Sequence, residues 1–197
     1  MTAVANGLTE DMGFDEAAVL HRVRGGDRAA FGQLVEHTMR RAHRVALGLV
    51  GNMEDAKDLS QEAYVRAYRA RDRLDPTRAF FPWYYQILRR LCLNFLRDRK
   101  TRRRHLEDAS PWLVAQADAR ASGERPDQQS ERAAIVRRLA AAIDALPDHE
   151  REVFTLREYE GLSYRDIAEL VDIPKGTVMS RLYNARRRLA TMLEDPR

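Results

Sequence analysis

Apolar residues recur every three to four positions along most of the chain, the spacing of one buried face on an α-helix. Gly25-Gly26 and Gly51-Asn52 interrupt this pattern, and Asn52 can cap a following helix. That helix is predicted from Met53 to about Arg71, because the Leu74-Asp75-Pro76 segment cannot continue it. The next strongly apolar helix is predicted from Pro82 or Trp83 to about Arg99.

The helical pattern is interrupted at residues 106–130, which separate two helical blocks of the chain. Residues 106–130 are rich in small and polar residues, with Trp112 and Leu113 among their few apolar anchors, which is typical of a linker. We therefore predict an all-α protein with two small helical domains. Its parts are a flexible N-terminal arm at 1–13, a first domain at 14–105, a linker at 106–130 and a second domain at 131–197.

The second block ends in two helices joined by a short turn. Ser163-Tyr-Arg-Asp166 has the pattern of a capping box, and Pro174 is well placed to start a last helix that runs to about Leu193. Because Val171-Asp172-Ile173 leaves room only for a tight turn, the pair is predicted to be a helix-turn-helix unit. The first helix of the block is predicted to bury a stripe of Ile135, Leu139 and Ile143.

The last helix has two contrasting faces. Its apolar stripe consists of Val178, Leu182, Ala185 and Leu189. The opposite side combines hydrogen-bonding side chains with cations, and no acid occurs between residues 175 and 188. Such a face suits the base edges and phosphates of a major groove. The plainer interpretation is a solvated basic helix that keeps the domain soluble.

Composition excludes several classes of protein. The 197 residues are 44% hydrophobic and 32% charged, and the net charge is only +4, so the placement of charges matters more than their sum. The single cysteine, Cys92, excludes an internal disulfide, and the five histidines lack ligand spacing. With no Gly-rich phosphate loop, we predict no metal, no cofactor and no enzymatic activity. Without a long apolar run or a secretory signal, we expect a cytoplasmic protein with no membrane segment.

The first domain carries an acidic stripe. Asp55, Asp58 and Glu62 share one helix face, which Arg66 and Arg69 continue. Acids near a helix start and bases near its end are favoured by the macrodipole, which is one explanation. The other is a docking face for a protein partner.

The next helix interleaves aromatic residues and arginines. Tyr84 and Phe95 are predicted to lie on its core side, whereas Trp83, Phe80 and Phe81 fit either the core or a surface that stacks on bases. Unstacked bases can lie on an aromatic ring while cations hold the backbone, so single-stranded nucleic acid suits this helix.

Segments of the chain resemble the regions that define bacterial sigma factors. The region 2.2 pattern is matched by DAKDLSQEAYVRAYR (55–69), and regions 2.3 and 2.4 by FFPWYYQILRRLCLNFLRDRKTRRR (80–104). Region 4 is matched by LPDHEREVFTLREYEGLSYRDIAELVDIPKGTVMSRLYNARRRL (146–189). The short length and the lack of an intervening domain are similar to the extracytoplasmic-function (ECF) group of the sigma-70 family.

The resemblance implies a promoter-specificity subunit with three functional surfaces. The surface for core RNA polymerase comprises Asp55, Asp58, Leu59, Gln61 and Glu62. The surface that captures and opens −10 promoter DNA comprises Arg78, Phe80, Phe81, Trp83, Gln86, Arg90, Asn94 and Arg97. The surface that reads the −35 element comprises Lys175, Thr177, Met179, Ser180, Arg181, Tyr183, Asn184 and Arg187. Met179 and Asn184 stand where the family often has basic residues.

Two further hypotheses concern partners. Because neither domain contains a sensing module, we expect an anti-sigma factor to control the protein in a stress response. The alternative is a stand-alone helix-turn-helix regulator that binds duplex DNA unaided and senses a ligand through its first domain. An acidic stripe and an aromatic-arginine helix are features that a ligand-sensing domain does not need, so they favour the sigma factor.

Overall fold

The computed structural model describes residues 14–109 and 131–194, and the predicted arm and most of the predicted linker lie outside these ranges. The described residues form eight α-helices and one short 3₁₀ helix, with no strand among them, which confirms the all-α prediction. The N-terminal unit comprises α1 (Glu16–Arg24), α2 (Arg28–Val50), α3 (Met53–Arg69), the 3₁₀ helix (Arg71–Arg73) and α4 (Phe80–Ala109). The C-terminal unit comprises α5 (Glu131–Asp144), α6 (Asp148–Glu158), α7 (Tyr164–Val171) and α8 (Lys175–Glu194).

Side-chain caps begin the helices of the N-terminal unit. The Asp27 carboxylate accepts hydrogen bonds from two backbone N–H groups at the start of α2, and the Asn52 side chain does the same for α3. Gly51 ends α2 with a left-handed φ of 75°, a conformation that glycine adopts without strain. Aromatic rings fill the space between the helices, with Tyr64 stacked on Tyr84 at 4.3 Å between centroids.

Helix α4 is longer than its sequence pattern predicts at both ends. It begins at Phe80, because the Glu16 carboxylate of α1 accepts the backbone N–H of that residue at 2.9 Å. A cap supplied by a distant helix is invisible to local pattern. Its other end reaches Ala109, four residues into the predicted linker, since no proline or glycine interrupts the basic stretch after Arg99.

The C-terminal unit contains the predicted helix-turn-helix. Ser163 and Asp166 form a reciprocal capping box at the start of α7. The turn that follows places Asp172 at a φ of 58°, the left-handed region that aspartate tolerates better than most residues. The prediction for α5 is partly wrong: Ile143 is buried, but Ile135 and Leu139 are exposed, because only the C-terminal end of α5, at Ala142 and Ile143, joins a buried apolar cluster.

The two units pack against each other rather than standing apart. Helix α6 lies on the C-terminal half of α2, and Val153 and Leu156 join one continuous core with residues of the N-terminal unit. Gly48 permits this approach, because a Cβ at this position would lie 2.7 Å from Oγ1 of Thr155. The Thr155 hydroxyl donates a hydrogen bond to the Gly48 carbonyl oxygen at 3.2 Å.

Candidate functional site

Helix α8 presents the two faces that its sequence predicts. Its predicted stripe is buried, comprising Val178, Leu182, Ala185 and Leu189. On the side away from this stripe, Met179 is 52% exposed and Tyr183 is 65% exposed. Apolar groups held outward in a polar face can contact thymine methyl groups in a major groove. The geometry of α8 therefore suits entry into DNA.

The cations of α8 divide into two groups. Arg186 pairs with Glu158 at 2.7 Å and Arg188 with Glu150 at 3.1 Å, so these two side chains brace α8 against α6. The hydrogen bond to Glu158 raises the pKa of Arg186. Within the described residues, no carboxylate pairs with the cations that the sequence assigns to DNA, which are Lys175, Arg181 and Arg187.

The remaining −35 candidates lie on the same side of α8. Ser180 is exposed, and its hydroxyl donates to the Thr177 carbonyl oxygen of the preceding turn at 3.1 Å. Thr177 and Asn184 are half-buried at the edges of the face. An asparagine amide has the donor and acceptor pattern that pairs with the major-groove edge of adenine.

The aromatic residues at the start of α4 do not occupy the surface expected of them. Phe80 is 1% exposed and Phe81 is 4% exposed, so neither ring can stack on a base in this conformation. Phe80 packs against Tyr84 at 5.7 Å between centroids, and the Arg41 guanidinium lies 3.7 Å over the Phe81 ring. The −10 assignment of these two residues is corrected to a core role, because helix packing around Tyr84 needs their volume.

The other −10 candidates line the outer side of α4 and the loop before it. Trp83 is half-buried, with its ring 6.0 Å from that of Phe80. Arg78 is exposed in the loop and pairs with Asp75 at 3.3 Å. The exposed polar residues of α4 on this side are Gln86, Arg90, Asn94 and Arg97.

Gln86 differs from its neighbours because it contacts the other unit. Its side-chain amide donates a hydrogen bond to the Leu170 carbonyl oxygen at the end of α7. One residue of the predicted strand-opening surface is therefore occupied by the helix-turn-helix.

The acidic face of α3 extends beyond the reach of the helix macrodipole. Asp58 and Gln61 are exposed, while Asp55 and Glu62 are half-buried. The macrodipole acts mainly within the first turn, so it accounts for Asp55 but not for acids in the second and third turns. Glu62 also pairs with Arg66 at 2.7 Å, and Leu59 packs partly against the core beneath.

The residues that form the contact between the units are not identified by the sequence pattern. Glu160 is fully buried between Arg41 and Arg44, at 2.7 and 3.2 Å from their guanidinium groups. Burial lowers the pKa of Arg41, and the carboxylate of Glu160 opposes that shift. One signal was available: Gly48 interrupts a helical pattern, and such a glycine often marks close approach of another element.

The described residues contain neither a membrane-spanning helix nor a metal-binding cluster. Within 14–109 and 131–194, no helix is long and apolar enough to cross a membrane. In the same ranges, no cluster of three or more histidine, cysteine or acidic side chains has the arrangement of a metal site.

Comparison with known proteins matches both units. The model of the family "Sigma-70 region 2" matches residues 34–102, and that of "Sigma-70, region 4" matches residues 136–189. These matches cover most of α2, all of α3 and most of α4 in the first unit, and most of α5 to α8 in the second.

Curated relatives match nearly the whole chain. The RNA polymerase sigma-H factor of Pseudomonas aeruginosa is 32% identical over 178 residues, which are 89% of this chain and 92% of that protein. The ECF RNA polymerase sigma factor SigW of Bacillus subtilis is 30% identical over 180 residues, which are 89% of this chain and 95% of that protein.

Two solved structures share the fold. CnrH, in complex with the cytosolic domain of CnrY, has a TM-score of 0.66 at 22% identity, covering 91% of this chain and 97% of CnrH. The sigma factor RpoE from Bartonella quintana, in complex with the anti-sigma factor NepR, has a TM-score of 0.60 at 23% identity, covering 85% of this chain and 98% of RpoE. From the family matches and the curated relatives together, we conclude that the chain belongs to the sigma-70 family of bacterial RNA polymerase sigma factors, in its ECF group.

Proposed function

We propose that the protein directs core RNA polymerase to promoters, with the acidic face of α3 as its polymerase contact. The observation that carries this proposal is the two-sided α8 helix, braced on α6 and exposing hydrogen-bonding groups and cations, within a sigma factor. In this arrangement α8 reads the −35 element, and the outer side of α4 captures the opened −10 strand. The polymerase carries out nucleotidyl transfer, and this chain places the polymerase at the promoter.

Capture by core RNA polymerase tests the role of the acidic face. Reversing one charge with Asp58→Arg should weaken capture at least tenfold, and Asp58→Arg with Glu62→Arg should abolish it, because both substitutions reverse the charge of the proposed contact face. Since these acids lie beyond the first turn, their loss does not remove a macrodipole interaction that stabilises α3. Glu36→Arg is the matched control, since Glu36 is also an exposed helical acid, on α2. Unchanged capture by the double variant would assign the acidic face to helix stability alone.

Transcription with defined components tests the whole proposal. Core polymerase, this protein and a genomic template should yield transcripts that begin at a limited set of sites, read by sequencing. Tight binding to duplex DNA without polymerase, combined with no capture of core enzyme, would instead favour the stand-alone regulator.

We also propose an anti-sigma factor as the controlling partner. Two proteins of the same fold, CnrH and RpoE, were solved in complexes, the second of them with an anti-sigma factor. Co-purification from the source bacterium under unstressed conditions should recover such a complex. Recovery of the protein only in free form or with polymerase would count against this partner.

A further inference from the structure

Helix α1 contacts both ends of the loop that leads into α4. This loop, residues 74–79, lies between the 3₁₀ helix and α4 and carries Arg78 of the −10 set. Before the loop, α1 packs against the 3₁₀ helix. After the loop, the Glu16 carboxylate of α1 accepts the backbone N–H of Phe80 at 2.9 Å. A helix that contributes no residue to the three functional surfaces therefore holds both ends of a segment that belongs to one of them.

The interior of the loop is held by its own hydrogen bonds. Asp75 and Pro76 occupy the first two positions of a β-turn, which the Arg78 N–H closes by donating to the Asp75 carbonyl oxygen at 3.0 Å. The Asp75 carboxylate also accepts hydrogen bonds from the backbone N–H and the hydroxyl of Thr77, at 3.0 and 2.6 Å. This local network leaves open the direction in which the chain enters α4.

The start of α4 has no cap from its own neighbourhood in the sequence. Ala79 precedes the helix, and alanine is a poor N-cap because its side chain has no acceptor. The hydroxyl of Thr77 is already bonded to Asp75. Because the first N–H groups of a helix have no partner within it, an uncapped first turn can fray. Glu16 supplies the acceptor from 64 positions away in the chain.

The cap lies where α1, α2 and α4 meet. Glu16 is half-buried and Phe80 is buried, and the Arg41 guanidinium of α2 lies 3.7 Å over the ring of Phe81. Burial lowers the pKa of Arg41, and the charges of Glu160 and, less strongly, Glu16 oppose that shift. A hydrogen bond from a backbone N–H to a carboxylate is stronger in such a partly buried place than on the open surface.

The first turn of α4 decides where Trp83 points. Successive residues of an α-helix turn by about 100°, so Trp83, three residues after Phe80, has a fixed direction only while the helix begins at Phe80. Arg78 lies two residues before the same hydrogen bond. A strand that contacts both Arg78 and Trp83 binds more tightly when their separation is fixed in advance, because no ordering cost remains to be met on binding.

We propose that Glu16 is a positioning residue for capture of the opened −10 strand, because its carboxylate fixes the start of α4 and so holds Arg78 and Trp83 in their binding arrangement. This inference rests on the proposed function, in which α4 and the loop before it capture that strand. It extends the −10 machinery to α1, which lies outside the sigma-70 region 2 match at residues 34–102. Glu16 itself needs no contact with DNA, since it acts through the Phe80 N–H.

Amide hydrogen exchange tests the first step, the fixing of the helix start. In Glu16→Ala the Phe80 N–H should exchange about tenfold faster than in the wild type, which is about 1.4 kcal/mol and within the range for loss of a helix cap. Glu16→Gln keeps an acceptor oxygen and should change exchange less. Glu36→Ala, at an exposed acid of α2, is the matched control and should change nothing. Equal exchange in Glu16→Ala and the wild type, or equal acceleration along all of α4, overturns the proposal.

Promoter opening tests the second step. Permanganate modifies thymines in separated strands, so it follows opening on a template where the wild-type protein and core polymerase start transcription. Glu16→Ala should open this template about tenfold more slowly while its capture of core polymerase stays unchanged, because the acidic face of α3 is intact. Opening at the wild-type rate would overturn the proposal. So would a loss of polymerase capture as large as the loss of opening, since Glu16 would then support only the fold.

A local cap on α4 separates positioning from any other role of Glu16. Ala79→Ser places a hydroxyl at the N-cap position, where it can accept the Phe81 N–H. In this background Glu16→Ala should slow opening much less than it does in the wild-type background, because the start of α4 no longer depends on α1. An equal slowing in both backgrounds would show that Glu16 does not act through the helix start.

These measurements separate failure of the inference from failure of the proposed function. Hydrogen exchange is measured without polymerase, so it reports the cap alone. If the wild-type protein neither captures core polymerase nor initiates at defined sites, the proposed function fails. If the wild-type protein does both and Glu16→Ala does both equally well, only the role of Glu16 fails.

Discussion

Gly48→Ala should open the contact between the two units without unfolding either one. The added methyl would lie 2.7 Å from Oγ1 of Thr155 and closer still to its Cγ2, well inside the usual 3.5–4.0 Å of nonpolar contact. Overpacking of this kind costs about 1–3 kcal/mol. Moving Thr155 aside also breaks its hydrogen bond to the Gly48 carbonyl oxygen, worth about 0.5–1.5 kcal/mol.

The sum shifts the docking equilibrium by about 1.5–4.5 kcal/mol, or roughly ten- to thousand-fold toward the open form. Alanine is also the better helix former by about 0.5–1 kcal/mol, but this gain stabilises α2 in the docked and open forms alike and so cancels. The variant should therefore keep its helical circular dichroism while its radius of gyration increases.

Gly32→Ala is the matched control, because Gly32 lies in the same helix and a Cβ there would meet nothing within 4 Å. Thr155→Ala in the Gly48→Ala background removes both clashing atoms, leaves the two Cβ atoms about 3.1 Å apart and should restore part of the docking. If Gly48→Ala is as compact as Gly32→Ala, or if it unfolds, the packing argument is refuted.

Two other predictions concern readout and stability. Replacing Ser180 and Asn184 with alanine should change the preferred −35 sequence, because each good pairing with a base edge provides about 1–3 kcal/mol of discrimination. If the sequenced transcription start sites of the variant and the wild type are identical, other residues of α8 read the −35 element. Burial, with a smaller effect of Lys57, lowers the pKa of His43 below its ordinary 6.5, so the unfolded chain takes up this proton first and stability should fall as pH drops below 6.5. His43→Gln should therefore lose less unfolding free energy than wild type between pH 7 and pH 5 in urea titrations, and equal losses would contradict a depressed pKa.

Local pattern was sufficient for elements whose stabilising groups are close in sequence. The capping box of Ser163 and Asp166, the Asn52 cap and the stripe from Val178 to Leu189 each lie within a few turns of helix. Because these interactions are local, hydrophobic period and cap residues predicted the helix-turn-helix and its two-sided last helix.

Pattern failed where a distant group decided the outcome. Helix α4 starts at Phe80 because Glu16, on another helix, caps it. The sequence pattern of an aromatic residue next to arginines is the same whether its ring faces solvent or the core. Only the packing of Phe80 against Tyr84 and of Phe81 against Arg41 shows that both rings belong to the core.

The sequence alone determined the all-helical class, the two helical blocks and the family to which the chain belongs, since periodicity and motif spacing are properties of the order of residues. Only the tertiary structure decided that the blocks dock, because docking depends on Glu152 and Glu160 meeting arginines more than sixty positions away in the chain. Partners so far apart leave no periodic trace, and their burial as matched ion pairs becomes evident only when the helices are assembled.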